Sequence, residues 1–163
     1  MSDHELLEAA AHTRSNQTDA RQPGSSASAE ELTRIFGTQL RSGWAEAMGL
    51  EFTQVSAARV EVCWTVAEQH MQPMGLVHGG VYAGVVETVC SVGAALAAGR
   101  GVGIVGIENH TSFLRSARGG LLRAVGMPVQ VGRRAQLWNA EVTDTDGRLL
   151  ARGSLRVMCL PQQ

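Results

Sequence analysis

The 163-residue chain has no lysine; all fourteen of its basic residues are arginine. Every fixed positive charge is therefore a guanidinium, a group able to hold phosphate through two parallel N–H bonds. Cysteine is scarce. Cys63, Cys90 and Cys159 form an odd set without C-x-x-C spacing, and the N-terminus lacks a basic region followed by an apolar stretch. Together these absences predict a reduced, cytoplasmic setting in which each thiol is a small buried hydrophobe. Nor is there a surplus of charge of one sign: a net charge of -1 gives no global case for nucleic acid or a membrane as partner. Metal-ligand spacing, a G-x-S-x-G elbow and a P-loop are all missing, so neither a metal nor a separate cofactor is expected.

What is present suffices for one domain. A hydrophobic content of 44% supports a core without disulfides or metal. Residues 1–29, rich in Ser, Gln and Pro, are too polar to offset chain entropy and are expected to be a disordered tail, leaving 30–163 as the folded domain. A capping box at Ser28 with Glu31 predicts a short helix through Leu32, Ile35, Phe36 and Leu40. From Leu50 the period changes to that of strands. In ARVEVCWTV, Val60, Val62, Trp64 and Val66 share one face, and this segment pairs with LEFTQVSAA as a hairpin.

A long apolar helix follows from about Gly79 to Ala98. Its length would allow a membrane span, but Glu87 at its centre would cost about 2.5 to 3.5 kcal/mol there, so a helix buried in protein, apolar all round, is expected. Four further strands are separated by Ala117–Gly120, by Gly132 and by Asp146-Gly147, a strong hairpin signal. They read as a consecutive antiparallel meander. GVGIVG at Gly101–Gly106 spells G-x-G-x-x-G, but a helix precedes it and a strand follows, the reverse of a dinucleotide fingerprint. Its glycines are expected to make a flexible connection. The fold class is thus α+β, an antiparallel sheet of five to six strands curled around one long central helix.

The chemistry concentrates between Gln72 and Ser91. A carboxylate in an apolar helix is expensive to keep, which makes Glu87 the first catalytic candidate. Gly84, Glu87 and Ser91 fall at i, i+3 and i+7 on one face, with Gly84 opening space above the carboxylate and Ser91 offering a hydroxyl one turn beyond. His78, Gly79 and Gly80 begin the helix, where free N–H groups and the positive dipole end suit a developing oxyanion. Gln72 could add a side-chain donor. His4, His12 and His70 sit in polar or turn contexts and are expected in solvent.

Gln72, the run GLVHGGVY from Gly75 to Tyr82, Glu87, Ser91 and ENHTSFLR from Glu108 to Arg115 resemble the hot-dog-fold acyl-CoA thioesterases. Within them the similarity is to the branch with a helix glutamate, which includes 4-hydroxybenzoyl-CoA thioesterase and the phenylacetate-pathway thioesterases. It covers roughly residues 45–160. The resemblance implies hydrolysis of a small or medium acyl-CoA, aromatic ones included, to the free acid and CoA, with CoA as part of the substrate. It implies Glu87 as nucleophile or general base, the Gly79 N–H as the group polarising the carbonyl with help from Gln72, and a hydroxyl at Ser91 near the carboxylate. His78 belongs to the motif, as do Asn109 and His110 on the strand.

Spacing adds a constraint. Gly79 and Glu87 are eight residues apart, roughly 12 Å along one helix, so one carbonyl cannot touch both. If both act on one thioester they come from different chains, their helices antiparallel across a two-fold axis. The resemblance implies the same homodimer with composite sites, further paired as a dimer of dimers. For the CoA phosphates, Arg115, Arg133 and Arg134 are the candidates: residues 1–99 carry five Arg and eleven acidic residues, residues 100–163 nine Arg and four acidic ones.

Two other functions fit a hot-dog fold. A hydratase or dehydratase also carries a helix carboxylate, but typically shows an H-F-P signature absent here. A non-catalytic acyl-CoA-binding module would have no need of Glu87.

Overall fold

Alternating apolar residues make five long or medium strands here, and the register of those strands decides which side chains reach the central helix. The computed structural model of the chain describes residues 42–161. In order these form helix α1 (Gly43–Ala47), strands β1 (Glu51–Val55) and β2 (Val60–Thr65), a 3-10 turn (Glu68–His70), the two-residue strands β3 (Met71–Gln72) and β4 (Leu76–Val77), helix α2 (Gly79–Ala98), and strands β5 (Val102–Phe113), β6 (Leu121–Val131), β7 (Ala135–Asp144) and β8 (Leu149–Pro161). The expected tail over 1–29, the capping box at Ser28 and the helix through Leu40 lie outside the described residues.

The main sheet has six strands in the order β1-β2-β6-β7-β8-β5, and each pair between neighbours is antiparallel. The β1–β2 hairpin and the β6-β7-β8 meander are as the alternation predicts. The expected consecutive run of four strands is not: β5 pairs with β8 (Val102 opposite Pro161, Phe113 opposite Ala151), while β6 pairs with β2. Alternation fixes which face a residue occupies but not which strand lies beside it, and the segment from Leu114 to Gly120 is long enough to pass β8 and β7 and reach β6. At the β7–β8 turn Gly147 has φ +77, the left-handed conformation that Asp146-Gly147 announces.

Inward residues of β2, β6, β7 and β8 pack on one side of α2. Val81, Tyr82, Val85, Val86, Val89, Cys90, Val92, Gly93 and Ala94 of the helix meet Val62, Trp64, Leu122, Trp138, Val142, Leu155 and their neighbours in the core. Gly93 is required here, since a Cβ would overlap the Trp138 ring. By length and composition α2 could cross a membrane, but half of it is buried against the protein. The sheet does not enclose the helix, however. Ala83, Gly84, Glu87, Thr88, Ser91 and Ala95 form a second face that is only half-buried, a correction to the expectation of burial on every side. Its residues are small apart from Glu87, so the carboxylate stands above a face of low relief.

Candidate active site

Glu87 stands on this second face, half-buried at a cavity of about 460 Å³ lined by Ala83, Gly84, Glu87, Asn109, Thr111 and Phe113. The helix contributes the carboxylate and small residues; β5 contributes alternate residues Asn109, Thr111 and Phe113, all on its inward face. Asn109 Nδ2 donates to both Glu87 Oε2 (3.0 Å) and the Ala83 carbonyl (3.0 Å), while Asn109 Oδ1 accepts from Thr111 Oγ1 (2.7 Å). The amide is held from three sides, and it fixes the carboxylate oxygen it touches. Gly106, at the β-bulge of β5, faces the other oxygen: a Cβ there would collide with Glu87 Oε1. The glycine expected in a flexible connection is thus the residue that makes room for the carboxylate; Gly99 (φ +82) and Gly101 (φ +74) make the turn instead.

The start of α2 is equally specific. His78 is the N-cap, and its Nδ1 accepts the Gly80 N–H at 2.9 Å. A ring whose Nδ1 accepts carries its proton on Nε2, so His78 braces the turn through one nitrogen and offers a donor from the other. Gly80 has spent its amide on that cap. The Gly79 N–H has no acceptor among the described residues, which leaves it as the free dipole-end donor. A Cβ at position 79 would lie 2.7 Å from the Phe113 ring, so the glycine admits this aromatic wall. Phe113 in turn leans on the chain's sole tyrosine, Tyr82, with ring centroids 6.3 Å apart. In the β3–β4 hairpin, Gln72 Oε1 accepts the Met74 N–H (2.6 Å), which turns the side-chain NH2 outward as a donor.

Not every expected residue joins this group. Ser91 is one turn beyond Glu87 on α2, but no hydrogen bond links them; Thr88 is the bonded hydroxyl, donating to the Gly84 carbonyl at 2.8 Å. His110 pairs with Ser154 on the outer face of the sheet, because strand alternation that aims Asn109 inward aims its neighbour away. Asn109 itself orients Glu87 rather than standing free for CoA. Arg115 donates to the Leu149 carbonyl (2.7 Å), whereas Arg133 and Arg134 lie in the β6–β7 turn beside Met158 and Cys159. Nine residues of β8 separate the two places, roughly 30 Å, so within one chain these arginines serve different ends of the sheet. Gly84 does not open space: the Trp44 indole of α1 occupies it, with Cη2 and Cζ2 both 2.5 Å from where a Cβ would sit.

His70, expected in solvent, is 1% exposed. Its Nδ1 accepts the Ala67 N–H (2.8 Å), its Nε2 donates to the Met48 carbonyl (3.0 Å), and its own carbonyl accepts the His78 N–H (2.8 Å). It ties α1 to the segment that starts α2. The roles of Trp44, Gly106, Phe113 and His70 carried no sequence signal at short range, although Phe113 falls in the ENHTSFLR run and Gly106 in GVGIVG. Cys90, one turn from Glu87, is no nucleophile: burial first, and the nearby Glu87 charge second, push its thiol up to about 12. Among the described residues no cluster of three or more His, Cys, Asp or Glu could hold a metal.

Comparison with known proteins bears on the family of the chain. The model of a family described as the thioesterase superfamily matches residues 74–151. The 1,4-dihydroxy-2-naphthoyl-CoA hydrolase of Escherichia coli is 32% identical over 113 residues, covering 69% of this chain and 83% of that protein. The proofreading thioesterase EntH of Cronobacter turicensis is 34% identical over 103 residues, covering 63% and 75%. The crystal structure of AziG from S. sahachiroi superposes with a TM-score of 0.72 at 36% identity, covering 74% of this chain and 98% of that one.

Proposed function

Because the chain belongs to the hot-dog acyl-CoA thioesterases of the thioesterase superfamily and is a thioester hydrolase, we propose that it cleaves a small to medium aromatic acyl-CoA through Glu87 in a site shared by two protomers. One observation carries the reading: Glu87 is fixed by Asn109 at the mouth of a cavity walled on one side by Phe113. Phe113 lines the cavity and leans on the buried Tyr82, while the Trp44 indole packs on the cavity-lining Gly84, in a chain whose aromatic content is 4%. A flat acyl group stacks on such walls, and the Escherichia coli relative is named for a two-ring aromatic substrate.

In the proposed reaction the thioester carbonyl oxygen accepts the Gly79 N–H of one protomer, with Gln72 Nε2 as a second donor. Glu87 of the other protomer takes a proton from the water that adds to the carbonyl carbon, or adds itself and forms an anhydride that water then hydrolyses to release the acid and restore the carboxylate. The tetrahedral oxyanion collapses, the C–S bond breaks, and CoA leaves as thiolate to be protonated. Both residues sit on one unbroken helix, so a single chain cannot supply them to one carbonyl.

Two surfaces support the pairing. β5 leaves its outer edge unpaired over twelve residues, with Val105 and Ile107 about half exposed, and the half-buried face of α2 lies beside it. A second copy that continues the sheet through β5 would bring the two α2 helices side by side. On the outer face of the sheet Met127, Val131, Met158 and Leu160 are exposed, a surface suited to a dimer of dimers. Arg115, Arg133 and Arg134 remain the phosphate candidates for CoA, and the free thiols of Cys63, Cys90 and Cys159 suit the cytoplasm. The test is thiol release from a panel of CoA esters by the wild type and by Glu87→Ala. Loss of turnover with retained fold is expected; undiminished turnover in the variant overturns the assignment.

A further inference from the structure

The family match begins at residue 74, yet a side chain from thirty residues upstream packs on Gly84, one of the residues that line the cavity. Helix α1 has five residues and buries none of them. Its Trp44 is 41% exposed, whereas the other two described tryptophans, Trp64 and Trp138, are core residues at 1% and 0%. A solvent-facing indole on a one-turn helix does little for the core. Yet its six-membered ring is pressed on Gly84, the cavity-lining residue one turn before Glu87, at a distance that only glycine permits.

This placement is braced from behind. The buried His70 donates to the Met48 carbonyl, Gln69 Nε2 reaches the Ala47 carbonyl at 3.5 Å, and the Met48 N–H closes α1 on the Trp44 carbonyl at 2.9 Å. The backbone carbonyl of the same His70 accepts the His78 N–H, so the indole and the oxyanion end of α2 are both tied to one buried residue. The geometry points to Trp44 as a specificity-determining residue: its indole, lodged on Gly84, limits the size of the acyl group that fits beside Glu87. The inference rests on the proposed thioesterase reading for its substrate class.

The test uses the full chain with benzoyl-CoA and 2-naphthoyl-CoA. Trp44→Ala is expected to raise the naphthoyl-to-benzoyl ratio of kcat/KM by about 10-fold or more, in the range by which hydrophobic pockets discriminate size. Trp44→Phe, which keeps a ring and the fold, falls between. A second readout needs no hydrolysis. Titration with 2-naphthoate is expected to change tryptophan emission in the wild type and not in Trp44→Phe, because the two core tryptophans do not face the cavity. An unchanged ratio in both variants, or a naphthoate response that survives in Trp44→Phe, overturns the role of Trp44. A wild type that responds to naphthoate through Trp44 yet releases no thiol from either ester supports the pocket wall and refutes the substrate reading instead.

Discussion

Two strand amides reach across to carbonyls of α2, and they lead to opposite outcomes. Gln136 of β7 donates to the Ala94 carbonyl (3.1 Å) and accepts the Trp138 indole N–H (2.8 Å), with 2% of its surface exposed. Asn109 of β5 donates to the Ala83 carbonyl and accepts the Thr111 hydroxyl, in an exposed position. Each amide grips the helix and a side chain two residues along its own strand. The difference is the remaining donor capacity: Gln136 directs it toward the Cys159 sulfur at 3.6 Å, Asn109 toward the Glu87 carboxylate at 3.0 Å. A closed copy of the device locks strand to helix; an open copy aims a reactive group. Position relative to the sheet edge separates them, because β7 is flanked on both sides and β5 on one.

The contrast can be broken from either side. The largest effect belongs to the open end: Glu87→Ala should lower kcat by about 10³-fold, with melting temperature unchanged or raised, in a thiol-release assay paired with calorimetry. At the closed end Gln136→Leu leaves the buried Trp138 N–H without a partner and removes the tie to the Ala94 carbonyl, and chemical denaturation should show a loss of about 2 kcal/mol while kcat of the folded enzyme stays within twofold. Asn109→Ala should cost about 10-fold or more in kcat for a much smaller loss of stability, and Asn109→Gln should not restore it, since the longer amide cannot hold the Ala83 carbonyl and Glu87 together. If instead Asn109→Ala is as destabilising as Gln136→Leu, the two amides are equivalent struts and the distinction fails.

The smallest expected effect comes from an ionic link on the outer face. The Arg123 hydrogen bond, with a second from Arg59, holds the Glu61 carboxyl below its ordinary value against a desolvation that raises it. A depressed folded-state value means that the stabilisation is present above the unfolded carboxylate range and is lost as pH falls through the folded value. Glu61→Gln should therefore be less stable than wild type at neutral pH by about 0.5 kcal/mol, with the gap closing in acid. A gap that persists unchanged at low pH would show that packing, not charge, holds β2 to β6 there.

Much of this was legible beforehand, for identifiable reasons. Helix α2 announces itself because Glu87 is alone in an apolar run bounded by His78-Gly79-Gly80 and by Gly99, and β2 and β7 because their apolar residues alternate. Local pattern reports facing, and facing was read correctly for Val60, Val62 and Trp64. Adjacency is a long-range property. Nothing near β5 says that its neighbour is β8, that Gly106 will meet a carboxylate from the helix, or that Trp44 will fill the space left by Gly84. His70 looked polar by its context and is buried because three backbone groups from separate segments converge on it.

The pairing of β5 with β8 also sets a schedule. During synthesis α2 emerges first, then β5, while Pro161, which lies opposite Val102, follows only after the β6-β7-β8 meander has been made. Until then the strand that bears Asn109 has no neighbour on either side, and the nascent chain carries its glutamate with nothing to aim it. The order of strands thus delays assembly of the site until the meander has emerged, and truncation between β5 and β8 is expected to yield a chain with every candidate catalytic residue and no assembled site.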